Sequence, residues 1–258
     1  MAEDPLQYKT SANLARRADL HVAYGKVSWF GWLATHMPVL PGSDVVDIGC
    51  GPGWYWHSVA GSLPTDICLT LIDKSEGMVH EAQSRLGEML FEISGQAADA
   101  VSLPFQNASF DMAVMMHMLY HVDVPERAIA EAARVLRPGG KAYATVNSGA
   151  DLQAITDIIL DVFGKEPMDF AAARVPLENL EALMSESFTE VTRHDMTDIY
   201  HCTDPEIIEA FILSMPPANQ ASPEQYQRLK QRIGEAFEPD GILTARKHSG
   251  VVCGTRPN

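Results

Sequence analysis

Positive charge is in short supply in this chain. Lysine and arginine number 19 against 34 aspartates and glutamates, a formal net charge of -15. A surface of that sign repels the phosphates of a nucleic acid, which excludes nucleic acid as an expected partner and favours a small-molecule substrate. Long apolar runs are missing too, since none approaches the roughly 20 residues that cross a bilayer. The opening Met1-Ala2-Glu3-Asp4 has no basic stretch followed by an apolar one, so a soluble, unexported protein without a membrane partner is expected. Cysteine is scarce: Cys50, Cys68, Cys202 and Cys253 lie far apart with no C-x-x-C pair. That pattern gives neither a disulfide framework nor a zinc ribbon, and it fits a reducing cytoplasm. Internal repeats, low-complexity tracts and heptad arrays are absent as well.

What is present is an alternation of apolar strand-like runs and helical runs over 258 residues. The length suits one α/β domain, with 1–40 as an N-terminal helical lid, 41–147 as a cofactor-binding core, and 148–258 as an acceptor-side insertion with C-terminal strands. In the first part, helices are expected over 11–24, with Ser11 as N-cap, and over 27–36. Strands at 44–48, 67–72, 90–97, 110–116 and 140–147 alternate with helices near 54–61, 75–87 and 125–136, implying parallel strands with helical crossovers. Helices near 151–163, 177–185, 205–213 and 223–236 follow, with strands at 189–200 and near 249–256.

The most informative stretch is Val45-Val46-Asp47-Ile48-Gly49-Cys50-Gly51-Pro52-Gly53-Trp54. A buried strand runs into a turn with glycine at alternate positions, which lets backbone N–H groups approach a ligand. A dinucleotide site needs G-x-G-x-x-G, but here Trp54 fills the place of the third glycine, which argues against NAD or FAD. Asp47, Asp73 and Asp99 recur every 26 residues near strand ends, so one cofactor can meet all three along the carboxyl edge of a sheet.

Four motifs in order, Asp47-x-Gly49-x-Gly51-x-Gly53, Leu69 to Asp73, Asp99 to Phe105 with Ser109-Phe110-Asp111, and Arg134 to Gly140, resemble the class I S-adenosylmethionine-dependent methyltransferases. The type is that of quinone-biosynthesis and natural-product enzymes. The resemblance covers about residues 44–147. It implies a Rossmann-like, doubly wound seven-stranded α/β sheet, mostly parallel with an antiparallel C-terminal strand, plus N-terminal lid helices. It also implies S-adenosyl-L-methionine as cofactor and S-adenosyl-L-homocysteine as product. Carried over, Gly49, Cys50, Gly51 and Gly53 would bound the methionine part of the cofactor while Asp47 orients the loop. Asp73 would bind ribose, Asp99 with Ala100 the adenine side, Lys74 and Met78 the adenosine pocket, and Met116 the cofactor end of the fourth strand.

Met115-Met116-His117-Met118-Leu119-Tyr120-His121 lies where the family places residues beside the transferred methyl group. His117 and His121, four apart, would share a face if helical, as metal ligands do. No Glu follows His117 and no third ligand is near in sequence, so no metal is expected. His121 reads either as an acceptor-side base, its ordinary pKa of about 6.5 suiting proton transfer, or as a residue packing a helix start; His117 is the weaker candidate. Tyr8 is the lid residue expected to fold over the site. Arg16, His21, Tyr24, Trp29, Trp32 and Trp54-Tyr55-Trp56 supply further polar and aromatic groups. Ile155, Ile158, Phe163, Met168 and Phe170 suit either an apolar acceptor wall or core. The expected function is methyl transfer to an O, N or C nucleophile of a small molecule by in-line displacement, mainly through proximity. The alternatives are a non-methylating rearrangement on the same fold and a non-catalytic cofactor-binding partner.

Overall fold

The computed structural model describes residues 12–165, 175–237 and 241–258. Two helices come first, α1 (Ala12–Tyr24) and α2 (Trp29–His36), before an alternation of β1 (Asp44–Ile48), α3 (Trp54–Val59), β2 (Cys68–Asp73), α4 (Glu76–Leu86) and β3 (Glu92–Ala97). Next are β4 (Phe110–Met116), α5 (Pro125–Val135), β5 (Leu136–Asn147), α6 (Gln153–Phe163) and α7 (Leu177–Ser185). The chain continues through β6 (Thr189–Cys202), α8 (Pro205–Leu213), α9 (Pro223–Phe237) and β7 (Leu243–Thr255). The strands form a seven-stranded sheet in the order β3-β2-β1-β4-β5-β7-β6. All neighbours are parallel except β7, which is antiparallel to both β5 and β6. This is the expected Rossmann-like doubly wound sheet.

Strand alternation sends successive side chains to opposite faces. Val46, Ile48, Met115 and Val252 join one buried cluster with Ile129 of α5 and Leu180 of α7. Val45, Val114 and Val251 join another with Leu33 of α2 and Trp56 of α3. A third cluster stands beyond the parallel strands, where Leu20 of α1, Ile155 and Ile159 of α6, Phe211 of α8 and Leu229 of α9 close on Leu243 and Ala245 of β7. Residues expected as lid or acceptor wall therefore act as core: Ile155 and Ile158 are buried in this cluster and Phe163 packs against it. The Tyr24 hydroxyl accepts the Thr203 and Asp204 N–H groups, tying α1 to the start of α8. Ser11, Met168, Phe170 and Tyr8 lie outside the described residues.

Two boundaries differ from expectation. The Pro138-Gly139-Gly140 stretch reads as the stop of α5, but the helix ends at Val135 and β5 has already begun at Leu136. The register jumps from Phe110↔Leu136 to Met112↔Lys141, so the glycines form a bulge within the strand rather than a turn before it. β7 starts at Leu243, not near 249, because Thr244, Arg246 and His248 flank inward-facing Leu243, Ala245 and Lys247 and hide the apolar alternation. At the opposite end of the sheet, Arg137 bridges Asp44 and Asp111 at 2.8 and 2.7 Å, and Arg134 donates to the Phe105 and Leu103 carbonyls. These motif residues hold the fold together away from the glycine turn.

Candidate active site

The strand order reverses between β1 and β4, and in open α/β sheets a ligand crevice forms at such a point. Ile72 O at the end of β2 accepts both the Gly49 and Cys50 N–H groups, at 2.7 and 2.9 Å, so the turn folds back over the sheet edge. Gly49 has φ +75°, and a Cβ there would lie 2.6 Å from the Met118 Cβ. The absence of a side chain thus lets the loop after β4 press against the turn after β1. Gly51 (φ +51°) faces open space, with nothing within 4 Å of where its Cβ would be. Gly53, also left-handed, caps α3, and Cys50 is buried, which pushes its thiol pKa up.

Asp47 is wholly buried. The Trp56 Nε1–H donates to its Oδ2 at 2.7 Å, while Oδ1 has no hydrogen-bond partner among the described residues. Burial pushes this carboxyl up to about 7, the Trp56 hydrogen bond opposing and the Asp73 charge adding to the rise. The Asp73 Oδ2 accepts the Gly51 N–H at 3.0 Å and its Oδ1 the Ser75 N–H at 2.9 Å. The carboxylate is thereby pinned between the glycine turn and the start of α4. Asp99 follows β3 on the same edge and accepts the Val101 N–H. The Lys74 ammonium stands 3.6 Å from it, both side chains exposed. Ala100 and Met78 are buried behind this edge.

Met116 ends β4 half-buried, and His117 follows in the left-handed region at φ +50°, an uncommon conformation for a non-glycine residue. Its N–H donates to the Thr145 carbonyl at 3.0 Å, which holds the ring toward α2: the Trp29 ring lies 5.4 Å from it and stacks on Trp32 at 5.4 Å. Burial first, then the Lys247 and His121 charges, pull the His117 pKa down to about 3, so its ring is neutral at physiological pH. The two histidines do not share an α-helical face. His117 is at a strand end, whereas exposed His121 closes a short 3-10 turn with its ring edge-on to Tyr120 at 4.5 Å.

A second polar group stands nearby. Burial, again with the Lys247 charge next, lowers His21 on α1 to about 3, and its Nδ1 lies 3.0 Å from the Tyr200 hydroxyl. Lys247 itself is buried and donates to Asp151 Oδ2 at 2.8 Å and Asn147 Oδ1 at 2.9 Å.

A family model described as a methyltransferase domain matches residues 46–144. The chain is 30% identical over 185 residues to a ubiquinone biosynthesis O-methyltransferase of Thiobacillus denitrificans, covering 66% of this chain and 76% of that one. The chain belongs to the class I S-adenosylmethionine-dependent methyltransferases. It is also 31% identical over 176 residues to the 27-O-demethylrifamycin SV methyltransferase of Amycolatopsis mediterranei, covering 64% of each. The solved structure of YcgJ from Bacillus subtilis shares the fold at a TM-score of 0.61 and 16% identity, over 89% of this chain and 98% of that one. The chain spans 29 to 64% of the length of the foremost curated relatives it matches.

The site fits the methyltransferase cofactor, S-adenosylmethionine. A buried carboxylate oxygen without a donor is costly unless a ligand supplies one, and Asp47 Oδ1 is such an atom beside a turn that leaves space at Gly51. The turn and strand edge bring together Asp47, Gly49, Cys50, Gly51, Gly53 and Asp73, with Lys74 and Asp99 facing each other on the same edge and Met78 and Ala100 buried behind it. Met116 and His117 end β4 next to Met118, which meets Gly49, while exposed His121 closes the 3-10 turn that follows. Trp54 instead lies under the Arg85 guanidinium, and Tyr55 and Trp56 are core. Reading the sequence missed Lys247, Asp151, Asn147 and Tyr200. Their one local signal is a lone lysine in a polar stretch; Asn147 and Asp151 lie 100 and 96 residues before Lys247, and Tyr200 lies 179 residues after His21.

Proposed function

We propose that this methyltransferase methylates a hydroxyl oxygen of a small, planar acceptor. The observation that carries this is the contact of Gly49 with Met118, which sets the His117 loop and its Trp29–Trp32 wall beside the glycine turn. The relatives' names, O-methyltransferases among them, agree with an oxygen acceptor. Bound S-adenosylmethionine supplies a methyl group made electrophilic by its sulfonium. Asp73 and Asp99 hold the nucleoside half, and the Gly49–Gly53 turn with Asp47 holds the amino-acid half. On the acceptor side the tryptophans orient the ring, and the neutral His117 fixes its approach. His121, open to solvent, takes the hydroxyl proton and passes it to water. The acceptor oxygen keeps that electron pair, with which it would take the methyl group of bound S-adenosylmethionine, the displaced pair staying on sulfur. Most of the acceleration is positional, on the order of 7–11 kcal/mol in favourable cases.

Product analysis with labelled methyl donor and a panel of hydroxylated small molecules tests this reading. Label in an ether product supports it. Altered acceptor without label points to a rearrangement, and cofactor binding without any product to a partner role. With an acceptor in hand, His121→Ala is expected to lower kcat about 10²–10⁴-fold with S-adenosylhomocysteine affinity unchanged. A loss below about tenfold would return His121 to packing.

A further inference from the structure

β5 ends at Asn147, which pairs with Ser249, but β7 continues along β6 to Leu243. The β6–β7 pair therefore overhangs the parallel strands. Along one face β7 presents Leu243, Ala245 and Lys247 on the overhang, then Ser249 and Val251 where it pairs with β5, all buried. The first two belong to the cluster with α6, α8 and α9, the last to the cluster under α2 and α3. At the junction the face turns polar: Thr145, Lys247 and Ser249 are buried there, and Ser249 Oγ donates to Asn147 Oδ1 at 2.6 Å.

Lys247 is held there deliberately. Asp151, 1% exposed in its side chain, faces the ammonium at 2.8 Å and also accepts the His248 N–H at 2.7 Å. The next residue, Leu152, is forced to φ +49° while its N–H donates to the Arg246 carbonyl, a strained turn that persists only when its surroundings fix it. Two of the ammonium's three N–H groups are used, and the third has no acceptor among the described residues. An apolar pair of similar size would be as stable as this buried ion pair or more so, so packing alone does not account for a cation here.

We propose that Lys247 is the acceptor-anchoring cation, binding the ionised oxygen of a phenolic or enolic hydroxyl on a planar acceptor. The inference rests on the methyl-transfer reading above and names its substrate class. The neighbours agree. The Trp29–Trp32 stack suits a flat ring, Thr145 of the same polar junction accepts the His117 N–H, and the Lys247 charge, which adds to burial in keeping His21 and His117 neutral, favours an oxyanion placed beside it. The proton leaves by His121 to water and its electron pair stays on the oxygen facing Lys247. Asp151 and Asn147 are positioning residues, since they act through the ammonium.

The test uses the full chain saturated with S-adenosylhomocysteine, whose own binding is first measured by calorimetry. 4-Nitrophenol is the probe, because its phenolate absorbs visible light and its neutral form does not. Below the probe's own ionisation range, saturable binding as phenolate is expected, at least about tenfold tighter than that of the non-ionising 4-nitrotoluene. The paired substitution Lys247→Met with Asp151→Asn removes both charges and strands neither. It is expected to weaken the probe about tenfold or more and to leave S-adenosylhomocysteine affinity unchanged, while Lys247→Arg restores most of the phenolate signal. Should the paired variant not fold, the comparison of probes on the unaltered chain decides. A missing phenolate signal, equal affinity for nitrotoluene, an unaffected paired variant, or tighter binding of 4-nitrobenzoate overturns the assignment. Failure of S-adenosylhomocysteine to bind overturns the methyl-transfer reading, and this inference with it.

Discussion

Asp47 carries the largest unmet electrostatic demand at the glycine turn. Its ordinary pKa is 3.8 and the fold raises it to about 7, so between those values the native chain holds a proton that the unfolded chain has released. Stability from this group is then fully present below about pH 4, falls as pH rises, and is lost above about pH 7. Denaturant unfolding of the apoprotein across that window is expected to show this decline in the parent chain and a flatter profile in Asp47→Asn; parallel profiles would deny Asp47 the role. Asp73 is pinned by two backbone N–H groups and is the acid proposed to meet the ribose hydroxyls. Asp73→Ala is expected to weaken S-adenosylhomocysteine binding by roughly 1–3 kcal/mol in calorimetry, and unchanged affinity in a folded variant would remove it from the site. Both acids were legible in sequence because each sits in a local motif whose spacing reflects one strand-helix unit. Lys247 was not: no neighbour in sequence explains it, and Asn147 and Asp151 meet it only after β7 has folded onto β5.

At the scale of elements, the alternating part of the chain was readable because local chemistry agrees with the tertiary outcome. Pro125 opens α5 and its apolar face recurs at Ile129 and Ala132; Ser75 caps α4 by accepting the Met78 N–H. Legibility failed where two signals compete. The Pro138-Gly139-Gly140 stretch reads as a helix stop yet lies inside β5, where the register against β4 shifts, and only that pairing decides it. The helices α6, α8 and α9 have clear periodicity, yet sequence leaves open whether their apolar faces line a pocket or meet one another. They meet one another, so Leu229→Ala should behave as a core truncation. A loss of about 2–5 kcal/mol of unfolding free energy is expected by denaturant titration, with S-adenosylhomocysteine affinity unchanged. A loss under about 1 kcal/mol would mean that α9 is not integral to that cluster.

For the whole molecule, the charge of -15 is a self-repulsion that surface ion pairs offset only in part. Raising ionic strength from about 0.01 to 0.15 M shortens the screening length from about 30 to about 8 Å, so the thermal midpoint is expected to rise; a falling midpoint would show that the local pairs outweigh the net charge. Among the described residues no helix is long and apolar enough to cross a membrane.

The overhang of β6 and β7 past β5 has a consequence for how such a molecule can diversify. The residues proposed to grip the methyl donor hang from β1 to β4, whereas the shelf beyond Asn147 rests on its own helices and its own packed interior. On the proposed assignment, substitutions and insertions on the shelf would retune what is methylated while the donor cradle is inherited intact, leaving the two halves of the reaction free to change at different rates within one uninterrupted sheet.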